Sequence, residues 1–126
     1  MNDAVSCAAI DRLVSAINAG NVAALDTVFT DDVVIEWPQS GERIRGVENR
    51  RAIYSRMPGL PAVTVQRVTG SGDMWVLEAD LVYGGSDAYQ CIFVFRTRGG
   101  QIAHEIGYWS KAFPAPEWRA PWVERM

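Results

Sequence analysis

The apolar residues of this sequence change their spacing between residues 57 and 63, and that change constrains the fold more than any other feature. Before it, most segments repeat at helical spacing, whereas after it four runs of β-branched and aromatic residues follow one another. The runs read VTVQRVTG, DMWVLEADLVYGG, DAYQCIFVFRTRGG and QIAHEIGYWS. Their separators are short glycine turns of the kind that join antiparallel strands. Helices followed by a four-stranded meander predict an α+β fold.

The first half of the chain predicts three helices and one strand. In order, the predicted elements are a helix over residues 3–19, a shorter helix over 22–29, a strand over 33–38, a loop over 39–46 and a helix over 47–57. Gly20 ends the first helix, and the Thr-Asp-Asp of residues 30–32 closes the second. Pro38 stops the strand, because proline cannot donate to a sheet ladder.

Length and charge restrict the classes of protein to which the chain can belong. Its 126 residues fit one domain, which we expect to span residues 1–126 with a core over about 3–111 and an aromatic tail over 112–126. The formal net charge is −3 and the arginines are scattered, so the sequence lacks the basic footprint of a nucleic-acid-binding protein. We therefore expect no nucleic-acid partner.

The cysteines, the single histidine and the apolar segments bear on location and cofactors. Cys7 and Cys91 lack a CxxC spacing and lie in segments that read as buried, so we expect two free thiols in a cytoplasmic protein. No stretch approaches the roughly 18 apolar residues of a membrane span, and we expect no signal peptide. His104 is the only histidine and there is no cysteine cluster, so we expect neither a metal nor an organic cofactor.

The order of the predicted elements and three sequence motifs resemble the nuclear transport factor 2-like superfamily. INAGNVAALDTVFTDDVVIEWP is similar to the first stretch of that superfamily, GVENRRAIY to the helix that follows, and VFRTRGGQI to its pattern of a strand, a glycine turn and an isoleucine. The resemblance covers roughly residues 8–111, and the polyketide-cyclase-like, or SnoaL-like, proteins are the most similar branch. It implies a cone-shaped α+β barrel, in which three N-terminal helices pack on a curved, mostly antiparallel sheet around a hydrophobic cavity.

The strand IAHEIGYWS, residues 102–110, raises the question of which side chains face that cavity. Side chains alternate between the faces of a strand, and both faces of this one carry apolar residues, so the pattern alone leaves the choice between Glu105 and His104 open. In ketosteroid isomerase, a relative, the last strand also contains a Tyr-Trp-Ser whose tryptophan lines the cavity. Carried onto this sequence, that match places on the inner face Glu105, Gly107 and Trp109.

The same match gives the outer face of the strand its residues. They are His104, Ile106 and Tyr108. Sheets in the superfamily commonly pair through this face, and an apolar outer row is what such a pairing requires. We therefore expect a homodimer formed across the sheet.

Glu105 and Tyr54 are the first candidates for acid/base chemistry. A carboxyl in an apolar cavity has a raised pKa and can exchange protons near neutral pH. The structural alternative is a glutamate paired with an arginine such as Arg96 on the neighbouring strand or with a hydroxyl inside the cone. Tyr54 falls where ketosteroid isomerase carries a supporting tyrosine, so it is either a donor to a ligand oxygen or a core tyrosine. Second candidates for the catalytic role are His104, Asp80 and Glu36. The residues expected to line the cavity and bind a ligand are Trp37, Tyr54, Trp75, Tyr83, Gly107 and Trp109.

The catalytic residues of ketosteroid isomerase itself are not matched. Trp37 stands at the position of its general base, and Leu13 at that of its oxyanion-hole tyrosine. Ile92 or Phe93 stands near the position of its oxyanion-hole aspartate, and neither can donate a proton. Steroid isomerisation is therefore not expected.

Two functions of different class fit these residues. The first is a small, cofactor-independent enzyme of isomerase, cyclase, dehydratase or hydrolase type that acts on an apolar, oxygenated molecule. The second is a non-catalytic module that binds a hydrophobic ligand or serves dimerisation. The tail EWRAPWVERM carries two tryptophans, and we expect it to cover the cone opening or to pack on a partner subunit.

Overall fold

The computed structural model of the chain describes residues 3–126. Within them, two α-helices, two 3₁₀ helices and six strands follow one another. In chain order they are α1 (Asp3–Asn18), a first 3₁₀ helix (Val22–Thr27), β1 (Phe29–Trp37), β2 (Glu42–Arg45), α2 (Gly46–Arg56), β3 (Ala62–Ser71), β4 (Met74–Tyr83), β5 (Asp87–Arg98), β6 (Gln101–Ser110) and a second 3₁₀ helix (Glu117–Trp122).

The six strands form one curved sheet that does not close on itself. Its strand order is β2-β1-β6-β5-β4-β3. β1 and β6 run parallel to each other, and every other neighbouring pair is antiparallel. The predicted α+β fold, with helices at the N-terminus and a mostly antiparallel sheet, is confirmed.

The segment 39–46, expected to be a loop, instead contains β2. This strand forms a hairpin with β1, in which Trp37 pairs with Glu42. The turn between them depends on Gly41, whose φ is 75° and whose N–H donates to the Trp37 carbonyl. Glycine adopts this left-handed conformation without steric cost, so Gly41 allows the chain to reverse directly after the proline.

The start of β1 also differs from the expectation. The strand begins at Phe29, so the Thr-Asp-Asp of residues 30–32 lies within it and does not end a helix. Phe29 pairs with Ile102 of β6, and the Ile102 N–H donates to the Val28 carbonyl (2.8 Å). Because these partners are more than 70 residues away in sequence, local propensity could not indicate them. The preceding helix is correspondingly short and of 3₁₀ type.

Polar contacts at the helix ends fasten the helices over the inner face of the sheet. Asn18, at the end of α1, exchanges two hydrogen bonds with Val63, since its Nδ2 donates to the carbonyl (3.0 Å) and its Oδ1 accepts from the N–H (2.6 Å). Arg50 of α2 is fully buried, pairs with Asp26 and lies 5.4 Å from the centre of the Phe29 ring. A buried guanidinium needs such partners, and they fix α2 beside the sheet.

Both cysteines, Cys7 and Cys91, are free thiols, as predicted. Within residues 3–126, no helix combines the length and apolar character needed to cross a bilayer. In the same part of the chain, no cluster of three or more histidine, cysteine, aspartate or glutamate side chains could hold a metal ion.

Candidate functional site

Glu105 is the central polar residue of the inner face. It lies on β6 opposite Phe95 of β5 and Ile35 of β1, and only 4% of its surface is exposed. Among the residues that the structure describes, none forms an ion pair or a side-chain hydrogen bond with it. Burial without a partner disfavours the charged form and raises the pKa of Glu105 to about 7.

The salt bridge that would have made Glu105 a structural residue is not formed. Arg96 lies on the outer face of β5, where its guanidinium is 3.9 Å from Asp73. The reason is strand parity, because Phe95 and not Arg96 is the neighbour of Glu105 in the register of β5 and β6.

Glu105 borders a cavity that lies between the helices and the sheet. The cavity has a volume of about 60 Å³, and its walls are almost wholly apolar. They come from α1, α2, the segment after α2, and the inner faces of β1, β3, β4, β5 and β6. The polar side chains in the wall are Glu105, Tyr54 and Tyr83, with the indoles of Trp37 and Trp109.

Tyr54 reaches the same cavity from α2. Its hydroxyl is buried, and burial together with the nearby Glu105 carboxylate raises its pKa well above 10, while Arg50 acts in the opposite direction. The phenol therefore stays protonated throughout the neutral range. A permanent hydroxyl donor and a carboxyl that titrates near neutrality thus share one apolar space.

Aromatic rings form the wall beside Glu105. The Trp109 ring packs edge-on against Phe93, with centroids 5.3 Å apart, and against Trp37 at 6.1 Å. Its Nε1 donates to the Tyr83 hydroxyl (3.1 Å). Trp37 Nε1 is buried and has no hydrogen-bond partner within residues 3–126. Because buried donors are nearly always paired, this N–H is a point where a ligand acceptor would fit.

Two residues expected to line the cavity do not line it. Trp75 lies beyond the cavity, where its Nε1 donates to the Gly72 carbonyl (3.0 Å). Gly107 lies on the inner face but has no side chain that could contact a ligand. A Cβ at this position would lie 2.9 Å from the Trp109 ring. Gly107 thus leaves room for the ring of Trp109.

The second candidates for the catalytic role lie on the outer face of the sheet. His104 Nε2 is 2.6 Å from Glu36, and the other oxygen of Glu36 accepts from Arg43 (2.8 Å). These contacts, with that of His104 first, lower the pKa of Glu36. Asp80 accepts a hydrogen bond from Gln66 (2.8 Å) on the same face. Strand parity turns all of them away from the cavity.

The sequence-based expectation also missed part of the wall. Met57, Leu60 and Pro61 follow α2 and close one side of the cavity, and residues of α1 such as Leu13 close another. In the sequence, the Met-Pro-Gly-Leu-Pro stretch indicated only that a helix ends there. Leu13 did carry a signal, because it matches a position that lines the cavity in ketosteroid isomerase.

Comparisons with known proteins agree with this architecture. The family profile of the SnoaL-like domain matches residues 10–105. A solved NTF-2-like protein of unknown function from Burkholderia xenovorans is 35% identical, with 100% of this chain and 98% of that chain covered and a TM-score of 0.88. Among curated proteins, none matches the chain.

Two further solved structures share the fold at lower identity. A putative ketosteroid isomerase from Kribbella flavida is 22% identical over 97% of this chain and 90% of that one, with a TM-score of 0.87. An epoxide hydrolase from M. tuberculosis, described as LEH-like, is 22% identical over 85% of this chain and 84% of that one, with a TM-score of 0.74. At this identity the likeness concerns the fold alone.

Proposed function

Since the chain belongs to the SnoaL-like family of the nuclear transport factor 2-like superfamily, as its motifs indicated, we propose that its cavity binds a small apolar, oxygenated molecule. The apolar walls favour a ligand whose body is apolar, because binding removes the apolar surface of the ligand from water. The few polar groups support oxygen atoms on the ligand, since Tyr54 offers an O–H donor and Trp37 an N–H donor.

Glu105 is the residue from which we infer that the protein is an enzyme. The observation that carries it is a buried carboxyl that lacks a partner within residues 3–126 and has a pKa of about 7. At neutral pH such a group is present in both protonation states, so it can take a proton from a bound molecule and return one. Burial raises the pKa of Glu105, and within residues 3–126 no neighbouring cation lowers it again.

Tyr54 has a distinct role in the proposed reaction. The Glu105 carboxylate removes a proton from the ligand, and the electron pair left behind moves onto a ligand oxygen. Tyr54 donates a hydrogen bond to that oxygen, and Glu105 in its acid form then returns the proton to a second position. Proton transfers of this kind suffice for an isomerase, a cyclase or a lyase, and they need no organic cofactor.

The experiment that tests the proposal follows proton exchange on small cyclic ketones. Cyclohexanone, 2-cyclohexenone and 1-tetralone are incubated with the protein in deuterium oxide, and loss of the proton next to the carbonyl is measured by NMR. We expect Glu105→Gln to lower the catalysed rate by about 10² to 10⁴, because the amide keeps the shape but cannot exchange a proton at neutral pH. Glu78→Gln is the matched control, since Glu78 pairs with Arg67 outside the cavity. An unchanged rate in Glu105→Gln would contradict the proposal.

The alternative function is a non-catalytic module that binds a hydrophobic ligand. The same apolar cavity supports it, and it requires no chemistry from Glu105. Equal affinity of the wild type and Glu105→Gln for 1-tetralone, without catalysed exchange in either, would favour this alternative.

We also propose a homodimer formed across the outer face of the sheet. Ile92 and Tyr108 on that face are 47% and 43% exposed, and Trp118 and Trp122 of the tail are 74% and 79% exposed. The tail does not contribute to the cavity wall, so packing on a partner subunit is the expectation that remains for it. Large exposed apolar surfaces are typical of subunit interfaces, and a two-fold axis would bring identical surfaces together.

Sedimentation velocity at micromolar concentration tests the dimer. The wild type is expected to sediment as a dimer and Tyr108→Glu as a monomer, because the substitution brings two charges to the apolar face. A wild type that remains monomeric at every accessible concentration would exclude this interface.

The cytoplasm is the proposed location. Both cysteines are free, and burial raises the pKa of the Cys91 thiol to about 11, which keeps the thiol protonated and slow to oxidise. Cell fractionation with a tagged full chain tests this proposal, and recovery outside the cytoplasm would contradict it.

A further inference from the structure

The cavity beside Glu105 is smaller than the molecules it is proposed to receive. Its volume is about 60 Å³. An apolar protein cavity that holds benzene measures about 150 Å³, so a ring-sized molecule needs more room than this cavity offers. Some part of the wall must therefore move before such a molecule reaches Glu105.

Two larger hollows lie directly outside the same wall. The first, here called the outer hollow, has a volume of about 630 Å³ and is lined by residues that include Tyr83, Tyr89 and Asp87. The second has a volume of about 350 Å³ and is lined in part by Trp37 and Gln39. Trp109 and Met57 border the cavity and both hollows, so these two side chains form the partition between them.

The backbone of Trp109 is held firmly on one side of this partition. β1 stops pairing with β6 after Glu36 and Ile106, because Pro38 ends the strand. The Gln39 side chain replaces β1 as the hydrogen-bonding partner of the β6 backbone at this point. Its Oε1 accepts from the Trp109 N–H (2.5 Å) and its Nε2 donates to the Trp109 carbonyl. With the backbone held in this way, movement of the partition would require a rotation of the indole and not a shift of the strand.

Among residues 3–126, one polar contact holds the indole itself. Trp109 Nε1 donates to the Tyr83 hydroxyl at 3.1 Å, and the ring also packs edge-on against Trp37 and Phe93 and lies close to Gly107. One neutral hydrogen bond contributes little net free energy, so thermal motion can break it. The ring then has the outer hollow beside it, which is large enough to receive it.

We propose that the hydrogen bond between Trp109 and Tyr83 is a latch that determines the size of the molecule able to reach Glu105. With the latch closed, the cavity admits only a few heavy atoms. With it open, the cavity and the outer hollow join into one chamber for a ring-sized ligand. The proposed function enters only in naming Glu105 as the end of the path, and the latch itself does not depend on catalysis.

Hydrogen exchange of the Trp109 indole tests the latch without any ligand. NMR resolves the indole N–H signals of the five tryptophans, and Trp109→Phe assigns the relevant one. Tyr83→Phe removes the acceptor and keeps the ring, so we expect the Trp109 indole N–H to exchange about fivefold faster, the factor that one net hydrogen bond contributes. Tyr89→Phe is the matched control, because its hydroxyl lies near the same hollow but donates to Asp87 (3.1 Å). Unchanged exchange in Tyr83→Phe overturns the latch.

Association kinetics test the role of the latch in ligand size. Phenol and 2-naphthol are mixed with the full chain in a stopped-flow fluorimeter. We expect Tyr83→Phe to bind 2-naphthol with an association rate constant about fivefold above that of the wild type, while the rate for phenol changes less. An unchanged association rate with a weaker affinity would make Tyr83 a direct ligand contact only and would overturn the proposal. Absence of 2-naphthol binding to both proteins would overturn it as well.

The two proposals fail in different ways. Proton exchange that survives in Glu105→Gln removes the proposed function but leaves the exchange rate of the Trp109 indole as a valid test of the latch. Unchanged indole exchange in Tyr83→Phe removes the latch and leaves the role of Glu105 intact.

Discussion

Glu36 and Glu105 lie on neighbouring parallel strands, one residue apart in register, yet they face opposite sides of the sheet. Glu36, on the outer face, accepts hydrogen bonds from His104 and Arg43, and these lower its pKa. Glu105, on the inner face, has no such partner within residues 3–126, and burial raises its pKa to about 7. Two identical side chains therefore have different pKa values, because they lie on different faces of the sheet.

This comparison shows that the chemistry of the sheet is decided by strand parity and by what covers each face. On the outer face a carboxylate contacts water and cationic side chains. On the inner face it is surrounded by apolar side chains under two helices. A shift of β6 by one residue would exchange Glu105 for His104 in the cavity.

Removing the carboxyl of Glu105 should change how stability depends on pH. The folded pKa of about 7 lies above the ordinary glutamate value of 4.5, so the folded chain binds the proton more tightly than the unfolded chain. Stability from this group is fully present below pH 4.5 and is lost as the pH rises through 7, by about 3 kcal/mol at most. Urea unfolding at pH 5 and pH 8 should therefore find Glu105→Gln more stable than the wild type only at the higher pH. Equal behaviour at both values would mean that Glu105 titrates normally.

The rate of ketone proton exchange should depend on the ionisation of Glu105. Because the carboxylate is the active form and its pKa is about 7, the catalysed rate should rise about fiftyfold between pH 5 and pH 7 and level off above about pH 8. His104→Gln should leave both the rate and its pH profile nearly unchanged, since that side chain contacts Glu36 outside the cavity. A flat profile in the wild type would show that the rate does not depend on ionisation of Glu105. A profile lost in His104→Gln would show that the chemistry takes place on the outer face.

The substitution Glu36→Gln should have the opposite sign and a smaller size. The folded pKa of Glu36 is lowered by His104 and Arg43, so its contribution is present above pH 4.5 and is lost as the pH falls through the lowered value. Its partners are partly exposed, so salt screens the interaction. Urea unfolding at pH 6 with and without 0.5 M sodium chloride should show a small destabilisation that salt reduces. A destabilisation as large as the change of about 3 kcal/mol predicted for Glu105 would show that the outer cluster is buried, as in a dimer.

Chelation should have no effect on either face. The sequence has one histidine and no cysteine cluster, and within residues 3–126 no group of three or more histidine, cysteine, aspartate or glutamate side chains could hold a metal ion. Binding of 2-naphthol and ketone exchange should be the same before and after dialysis against EDTA. Loss of either activity, restored by an added divalent cation, would count against this expectation.

The order and type of the elements could be read from the sequence because they depend on local periodicity. Helical spacing up to residue 57, glycine turns between the later strands and the motifs of the family together indicated the α+β fold. β2 and the first residues of β1 could not be read in the same way. Their hydrogen bonds come from strands that are distant in sequence or follow a tight turn, so local propensity is a weak guide to them.

The sequence by itself determined that Glu105 and His104 lie on opposite faces of one strand, because side chains alternate along a strand. It did not determine which face is covered, since both carry apolar residues, and only the match of Trp109 to a relative favoured Glu105. The tertiary structure decided this by packing α1 and α2 over the inner face. It also decided that Arg96 cannot reach Glu105, that Trp75 lies outside the cavity and that Gln39 holds Trp109. The physical reason is that a pKa depends on burial and on the distance to other charges, and both are properties of three-dimensional packing.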